Sequence, residues 1–189
     1  MNVVKLNLAN QITLLRFLCI PVFAASVLYL EAGRLYLKYA PLCIFFIAVV
    51  SDALDGFAAR ILDQKTKLGT WLDPIADKLL LVTSFILLGF INGVSALKIP
   101  IWLIIIVLSR DCVIVLGSIF IHMLKGSLFV APSFIGKITT FFQMLVILTA
   151  LLKVPVGMDY LWALTAGLTL ISGLDYFLKG VRQLNSIKN

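Results

Sequence analysis

Long apolar runs alternate with short polar segments along the chain, and six such runs can be distinguished. Each run is about as long as a helix that crosses the hydrocarbon core of a bilayer, which takes roughly 20 residues. The predicted spans are residues 12–30, 36–60, 69–91, 101–124, 133–152 and 160–178. This pattern predicts an all-α integral membrane protein with six transmembrane helices, forming a single membrane domain over residues 1–189.

The polar segments predict where the helices end. Residues 61–68 and 125–132 are hydrophilic and are predicted to be loops. Asp73 followed by Pro74 is typical of a helix cap with proline in the first helical position, so the third helix is expected to begin at Gly69 or near Asp73.

The first eleven residues allow two interpretations. They mix polar residues with Val3, Val4, Leu6 and Leu8. A short interfacial helix lying on the membrane and a frayed terminus both fit this mixture. The apolar run that follows lacks a small-residue cleavage site, so we expect it to be retained rather than removed as a signal peptide.

Composition supports a membrane protein and gives an orientation. The chain is 61% apolar and 13% charged, with a mean hydropathy of +1.08. The net charge of +7 comes from basic residues at predicted helix ends, which favours contact with anionic lipid over nucleic acid. Four basic residues fall on one side, namely Arg34, Lys38, Lys98 and Lys153. Ten fall on the side of the termini: Lys5, Arg16, Arg60, Lys65, Lys67, Lys125, Lys137, Lys179, Arg182 and Lys188. This bias predicts an inner (cytoplasmic) membrane protein with both termini in the cytoplasm.

One short stretch concentrates the negative charge. Five of the nine acidic residues lie between residues 52 and 77: Asp52, Asp55, Asp63, Asp73 and Asp77. On helices, the 52/55 pair shares one face and the 73/77 pair shares another. Four carboxylates at the edge of apolar helices repel one another unless a counter-charge is present. Oxygen ligands favour hard divalent cations, so the cluster predicts a site for Mg²⁺ or Mn²⁺.

The spacing of this stretch resembles the signature of the CDP-alcohol phosphatidyltransferases. The pattern is Asp52-x2-Asp55-Gly56-x2-Ala59-Arg60-x8-Gly69-x3-Asp73-x3-Asp77, and every signature position is filled. The resemblance implies a membrane enzyme that transfers a substituted phosphoryl group from a CDP-linked donor to an alcohol and releases CMP. It also implies two divalent metal ions held by the aspartates, with the last aspartate acting as the base.

The site residues follow from this resemblance together with the chemistry of each side chain. The metal ligands are expected to be Asp52, Asp55, Asp73 and Asp77, and Asp77 is also expected to take the acceptor's proton. The residues expected to bind the CDP group are Asp52, Gly56, Ala59, Arg60 and Gly69. Gly56, Ala59 and Gly69 lack bulk, which leaves room for a flat cytosine and a ribose. Arg60 is expected either to contact the diphosphate or to stay solvated. Buried ion pairing is the competing explanation for the aspartates.

Two cations farther along the chain are candidates for binding the acceptor. Arg110 lies within the fourth predicted span and Lys137 near the start of the fifth, where a cation normally faces a cavity or a partner. Pairing of Arg110 with Asp111 or with a signature aspartate is the simpler alternative. His122 stands alone and is expected to have an interfacial structural role. Asp175 and Tyr176 are expected to be interfacial, with pairing of Asp175 to a lysine from another helix as the alternative.

Flanking motifs narrow the expected acceptor. Asn10, Thr13, Arg16 and the segment 132–143 resemble the phosphatidylglycerophosphate synthase and cardiolipin synthase branches of the family. Asn10, Thr13 and Arg16 are expected either to shape the mouth of the site or to cap and anchor the first helix. Many glycerophosphate-using members have a second arginine where Ser118 stands. Glycerol 3-phosphate is therefore the first expectation and phosphatidylglycerol the alternative.

Partners and rival functions complete the expectation. CDP-diacylglycerol, an alcohol acceptor and membrane lipid are the expected partners, with no nucleic acid. The family commonly forms homodimers, although no stretch here indicates a dimer face. A cation transporter is the distant alternative, since it also uses intramembrane carboxylates, but those lie at mid-membrane on broken helices.

Overall fold

The computed structural model describes residues 8–31, 38–61, 67–91, 98–125, 133–154 and 157–185. It describes side chains over 16–30, 38–51, 76–91, 98–117, 133–154 and 157–182, together with residue 119. Within these ranges the protein has six α-helices and no strand, so the predicted all-α architecture is confirmed. The helices are α1 (Leu8–Glu31), α2 (Ala40–Ile61), α3 (Lys67–Phe90), α4 (Ile101–Lys125), α5 (Phe134–Leu151) and α6 (Met158–Asn185).

Two helices extend beyond their predicted ends. α1 begins at Leu8, so residues 8–11 belong to the first helix instead of a separate N-terminal segment. Residues 1–7 lie outside the described part of the chain. α6 continues to Asn185, so Lys179 and Arg182 lie on a helix and not in an irregular tail. The apolar pattern ends where the lipid is expected to end, whereas the backbone hydrogen bonds of a helix continue into polar sequence.

The predicted start of α3 near Asp73 is wrong, whereas the alternative start at Gly69 is two residues from the observed one. The helix begins at Lys67, so Asp73 and Pro74 lie two turns inside it and not at its cap. Proline removes one N–H donor from a helix, and helices that cross membranes tolerate this loss because neighbouring groups satisfy the freed carbonyl. The Asp-Pro dipeptide therefore does not mark the start of this helix.

The first of two compact units comprises residues 1–98. In it, α1 packs against both α2 and α3. The contact between α1 and α2 includes the rings of Phe23 and Phe45, whose centroids are 6.1 Å apart. Leu81, Phe85 and Leu88 of α3 are also buried. The helix α1 is thus the common packing partner of α2 and α3 in this unit.

The second unit comprises residues 99–189, and in it α6 packs against α4 and α5. Hydroxyl side chains lie inside this unit: Thr139, Thr165, Thr169 and Ser172 are fully buried. Thr139 donates to the carbonyl oxygens of Ile135 on its own helix and Leu168 on α6. Large apolar side chains face outward instead, among them Phe134, Phe141, Leu174 and Phe177. Polar groups between helices and apolar groups outside are typical of helices packed in lipid.

By length and composition, two helices in the described part of the chain are able to cross a membrane. They are Phe134–Leu151, with a mean hydropathy of 1.7, and Met158–Arg182, with 1.4. Two shorter apolar helical segments, Arg16–Leu30 and Ala40–Ser51, lie in α1 and α2. These findings agree with a membrane protein. The six-span topology and the single domain stay predictions.

Candidate active site

The four signature aspartates lie on two helices, as the spacing predicts. Asp52 and Asp55 lie on α2 and are three residues apart, and Asp73 and Asp77 lie on α3 and are four apart. Both helices pack against α1 within the first unit. Of the four side chains, only that of Asp77 belongs to the described residues. The placement of the other three carboxylates, and of Gly56, Ala59, Arg60 and Gly69, falls outside the described side chains, so their roles stay predictions.

Asp77 is held by a residue from α1. Arg16 Nη1 donates to Asp77 Oδ1 at 2.6 Å, across 61 residues of sequence. The Arg16 side chain is 1% exposed, whereas that of Asp77 is 29% exposed. A buried guanidinium therefore fixes the carboxylate from behind, while part of the carboxylate still reaches solvent. The alternative of a basic anchor at the start of the first helix does not fit the buried side chain of Arg16.

The chemistry of Asp77 is compatible with a divalent metal. A partly exposed carboxylate offers the oxygen ligand that Mg²⁺ and Mn²⁺ prefer. No group of three or more potential ligands occurs among the described side chains, which exclude Asp52, Asp55 and Asp73. The predicted ligand set as a whole thus remains a prediction supported by the helix positions and by Asp77.

A second polar cluster lies in the other unit and is centred on Arg110 of α4. Arg110 Nη1 donates to Asp111 Oδ1 at 2.7 Å, and Nη2 donates to Ser172 Oγ of α6 at 2.8 Å. The guanidinium carbon lies over the Tyr176 ring, 5.6 Å from its centroid. Arg110, Asp111 and Ser172 are all buried. The predicted pairing of Arg110 with Asp111 is therefore present, and the guanidinium is also held by two residues that the sequence reading did not assign.

The first turns of α5 approach the same guanidinium. A methyl group added at Gly136 would lie 3.2 Å from Arg110 Nη2 and 3.4 Å from the Tyr176 ring. Glycine at this position thus allows α5 to pass close to Arg110. Lys137 follows directly and is exposed, with its backbone N–H bonded to the Ser133 carbonyl oxygen at 3.2 Å. The contacts of the described residues include none between the Lys137 ammonium and Arg110.

Asp175 joins the start of α5 to α6. The Ser133 hydroxyl donates to Asp175 Oδ2 at 2.6 Å, and Lys179 Nζ donates to the same oxygen at 2.7 Å. The lysine partner lies four residues away on the same helix, so the alternative in which Asp175 pairs with a lysine from another helix is wrong. Ser133 is the N-cap of α5, yet its hydroxyl makes no capping hydrogen bond because it is directed to Asp175.

Comparison with known proteins matches most of the chain to one family. A family model described as CDP-alcohol phosphatidyltransferase matches residues 6–172. The chain belongs to the CDP-alcohol phosphatidyltransferase family. It is therefore a transferase of phospholipid biosynthesis, and the family expected from the signature is confirmed. Membership also removes the transporter alternative.

Several curated relatives cover almost the whole chain. A probable phosphatidylglycerophosphate synthase of Mycobacterium tuberculosis is 30% identical over 96% of this chain and 85% of its own length. A CDP-diacylglycerol–glycerol-3-phosphate 3-phosphatidyltransferase of Bacillus subtilis is 32% identical over 95% of this chain and 98% of its own length. The Escherichia coli protein of the same name is 32% identical, with 91% of this chain and 93% of that protein covered.

Sequence reasoning missed the contacts of three residues that the structure places at the candidate sites. Arg16 was recognised, but not its contact with Asp77, because nothing in a sequence pairs residues 61 positions apart. Ser172 was not singled out and Tyr176 was expected only to be interfacial, although their spacing of four residues puts both on one face of α6. A buried cation requires polar partners on neighbouring helices. A search for polar residues on one face of each neighbouring helix would therefore have indicated these partners.

Proposed function

We propose that the protein transfers the phosphatidyl group of CDP-diacylglycerol to glycerol 3-phosphate, which yields phosphatidylglycerophosphate and CMP. The observation that carries this proposal is the nearly full-length similarity to the Bacillus subtilis and Escherichia coli proteins, whose names describe this reaction. All residues assigned to the candidate sites lie within the matched range 6–172 or directly after it. The filled aspartate signature supports the same reaction class.

The proposed chemical step is a direct displacement. The acceptor's hydroxyl oxygen attacks the phosphorus that carries diacylglycerol, the phosphoanhydride bond to CMP breaks, and CMP leaves with the bonding electrons. Asp77 accepts the proton of the hydroxyl as general base. Its carboxylate suits this role because Arg16 holds one oxygen while part of the group stays exposed. No covalent intermediate with the protein forms in this scheme.

The donor is bound at the aspartate helices. Asp52, Asp55, Asp73 and Asp77 hold two divalent cations, either Mg²⁺ or Mn²⁺. When bound, such ions neutralise the diphosphate and the charge that develops on the leaving CMP. Cytidine packs against α2 and α3 at Gly56, Ala59 and Gly69, with Asp52 contributing on the same side. Arg60 binds the diphosphate.

The acceptor's phosphate is bound by Arg110 and Lys137. Arg110 is buried, and its Nε has no hydrogen-bond partner among the described residues. A guanidinium with an unused donor binds phosphate oxygens well. Lys137 is exposed next to Gly136, which itself closely approaches Arg110, so it adds a second positive charge from α5.

Phosphatidylglycerol is the second candidate acceptor, and one observation favours it. Asp111 pairs directly with Arg110 and offsets its charge, and Ser118 stands where many glycerophosphate-using members have another arginine. The remaining positive charge then suits a phosphodiester better than the more highly charged phosphomonoester. The product in that case is cardiolipin.

The proposed location is the inner (cytoplasmic) membrane, with six spans and with the termini and active site on the cytoplasmic side. The apolar outer surface of the second unit and its two span-length helices support insertion. The excess of Lys and Arg on the side of the termini supports the orientation. We also propose that the protein forms a homodimer, as is common in the family.

Product analysis tests the proposed reaction. The purified protein with Mg²⁺ and CDP-diacylglycerol is offered glycerol 3-phosphate or phosphatidylglycerol in separate reactions, and the lipid products are identified by mass. We expect phosphatidylglycerophosphate from the first reaction and CMP release only when an acceptor is present. Cardiolipin as the only product would replace the first candidate by the second. A phosphatidyl group trapped on the protein with donor alone would contradict direct displacement.

A further inference from the structure

The guanidinium of Arg110 has contacts beyond its ion pair with Asp111. Asp111 accepts from Nη1, Ser172 accepts from Nη2, and the guanidinium carbon lies over the Tyr176 ring, 5.6 Å from its centroid. These partners come from two helices, α4 and α6, and α5 closes the remaining side at Gly136. The side chain is thus confined by three helices of one compact unit.

The arrangement leaves one buried donor of the guanidinium without a hydrogen-bond partner among the described residues. Of its five N–H bonds, Asp111 and Ser172 each take one, and Nε is without a hydrogen-bond partner among the described residues. Leaving a buried charged donor unsatisfied costs free energy, so such a group is normally retained for a ligand or a partner. The phosphate-bearing acceptor of the proposed reaction is a ligand of the required charge.

We propose that Ser172 and Tyr176 are positioning residues for the acceptor, which hold Arg110 in the orientation that binds its phosphate. This inference rests on the proposed function. Both residues lie on α6, one helical turn apart, so a single face of α6 presents the hydroxyl to Nη2 and the ring to the guanidinium plane. They act through Arg110 and do not need to touch the acceptor.

The physical reason is preorganisation. A free arginine side chain loses considerable rotamer freedom when it is ordered on a ligand. When Ser172 and Tyr176 order it beforehand, the acceptor binds without that cost. Because the acceptor's phosphate is remote from the reacting hydroxyl, this binding is the same in the ground state and the transition state. Loss of the positioning residues then raises the acceptor KM and leaves kcat nearly unchanged.

Kinetics of matched variants in the full-length protein test the inference. We expect Ser172→Ala to raise the acceptor KM about five- to tenfold, in line with the loss of one hydrogen bond of typical net strength. The KM for CDP-diacylglycerol and kcat should stay within about twofold of wild type. Ser84→Ala is the control, because Ser84 is equally buried on α3 and its only hydrogen bond among the described residues is to the Leu80 carbonyl oxygen. Equal effects of the two substitutions would overturn the inference.

Two further measurements separate positioning from general packing. Tyr176→Leu should raise the acceptor KM, and Tyr176→Phe, which keeps the ring face, should restore most of the affinity. In an Arg110→Lys background, which lacks the planar fork, Ser172→Ala should have no further effect. If Ser172→Ala raised the acceptor KM in that background by as much as it does in the wild-type protein, the inference would be overturned.

The outcome also separates the inference from the proposed function. The wild-type protein is measured first with glycerol 3-phosphate and with phosphatidylglycerol, and the variants are then measured with the acceptor that it uses. Turnover with an unchanged acceptor KM in Ser172→Ala overturns the positioning role alone. A wild-type protein that uses neither acceptor overturns the proposed function, and the positioning role with it.

Discussion

The Arg16 guanidinium on α1 donates a 2.6 Å hydrogen bond to the carboxylate of Asp77 on α3. The donor is almost completely buried and the acceptor is partly exposed, so the contact orients the carboxylate from the protein side. In the proposed reaction, this contact determines which oxygen of Asp77 faces the acceptor hydroxyl. α1, which packs against both aspartate-bearing helices, therefore contributes to the site directly and not only as a scaffold.

The first prediction concerns Arg16. Arg16→Gln should lower kcat by about tenfold or more, because hydrogen bonds between charged groups contribute about 1.5–3 kcal/mol. Arg16→Lys keeps the charge without the planar guanidinium, so it should recover part of the rate. Steady-state CMP release measures both. Ser26→Ala, a buried change on the same helix whose hydroxyl bonds only the Phe23 carbonyl, is the control. A wild-type rate in Arg16→Gln would show that the contact does not serve catalysis.

The second prediction concerns Asp77 itself. Asp77→Asn keeps an oxygen that accepts from Arg16 but removes the base, so turnover should fall by about 10²–10⁴-fold, the usual contribution of a general base. The protein should still fold, because the hydrogen bond across α1 and α3 is retained. Product formation and a thermal unfolding curve in detergent measure the two properties. Unfolding of the variant, or turnover within tenfold of wild type, would argue against the assignment.

The third prediction concerns the metal ions. Chelation by EDTA should abolish CMP release, and added Mg²⁺ or Mn²⁺ should restore it, because four carboxylates and a diphosphate repel one another without cations. Asp55→Asn should increase the metal concentration needed for half-maximal activity. Asp63→Asn is the matched control, since Asp63 stands outside the signature and should leave that concentration unchanged. Full activity after chelation would exclude the proposed metal site.

The sequence predicted the number and type of the helices well because hydropathy reports the same property that drives burial in lipid. It predicted helix ends less well. Asp73–Pro74 suggested a cap, but α3 begins at Lys67 and continues through Pro74, which removes one backbone N–H donor without ending the helix. The family signature likewise placed the aspartates on the correct helices.

Contacts between distant residues were beyond the sequence. The pattern indicated that Arg16 and Arg110 need partners, and it named Asp111 for Arg110 because the two are adjacent. It did not indicate Asp77 for Arg16 or Ser172 for Arg110, because those pairs form only when α1 meets α3 and α4 meets α6. A sequence thus shows that a buried cation must be satisfied, whereas the packing of the helices decides by which group.

The fourth prediction uses the close approach of α5 to Arg110. Gly136→Ala adds a methyl group 3.2 Å from Arg110 Nη2, so the guanidinium must shift by a few tenths of an ångström. We expect a severalfold higher acceptor KM with little change in the KM for CDP-diacylglycerol, because only the acceptor's phosphate is bound by Arg110 in the proposed reaction.

Gly167→Ala is the control for this fourth prediction. A methyl group at Gly167, in the middle of α6, meets no atom within 4 Å among the described residues. The same change at that position should leave both KM values unaltered and should raise the unfolding temperature slightly, because alanine favours a helix over glycine by about 1 kcal/mol. An unchanged acceptor KM in Gly136→Ala, or an equal increase in both variants, would show that the approach of α5 to Arg110 does not control acceptor binding.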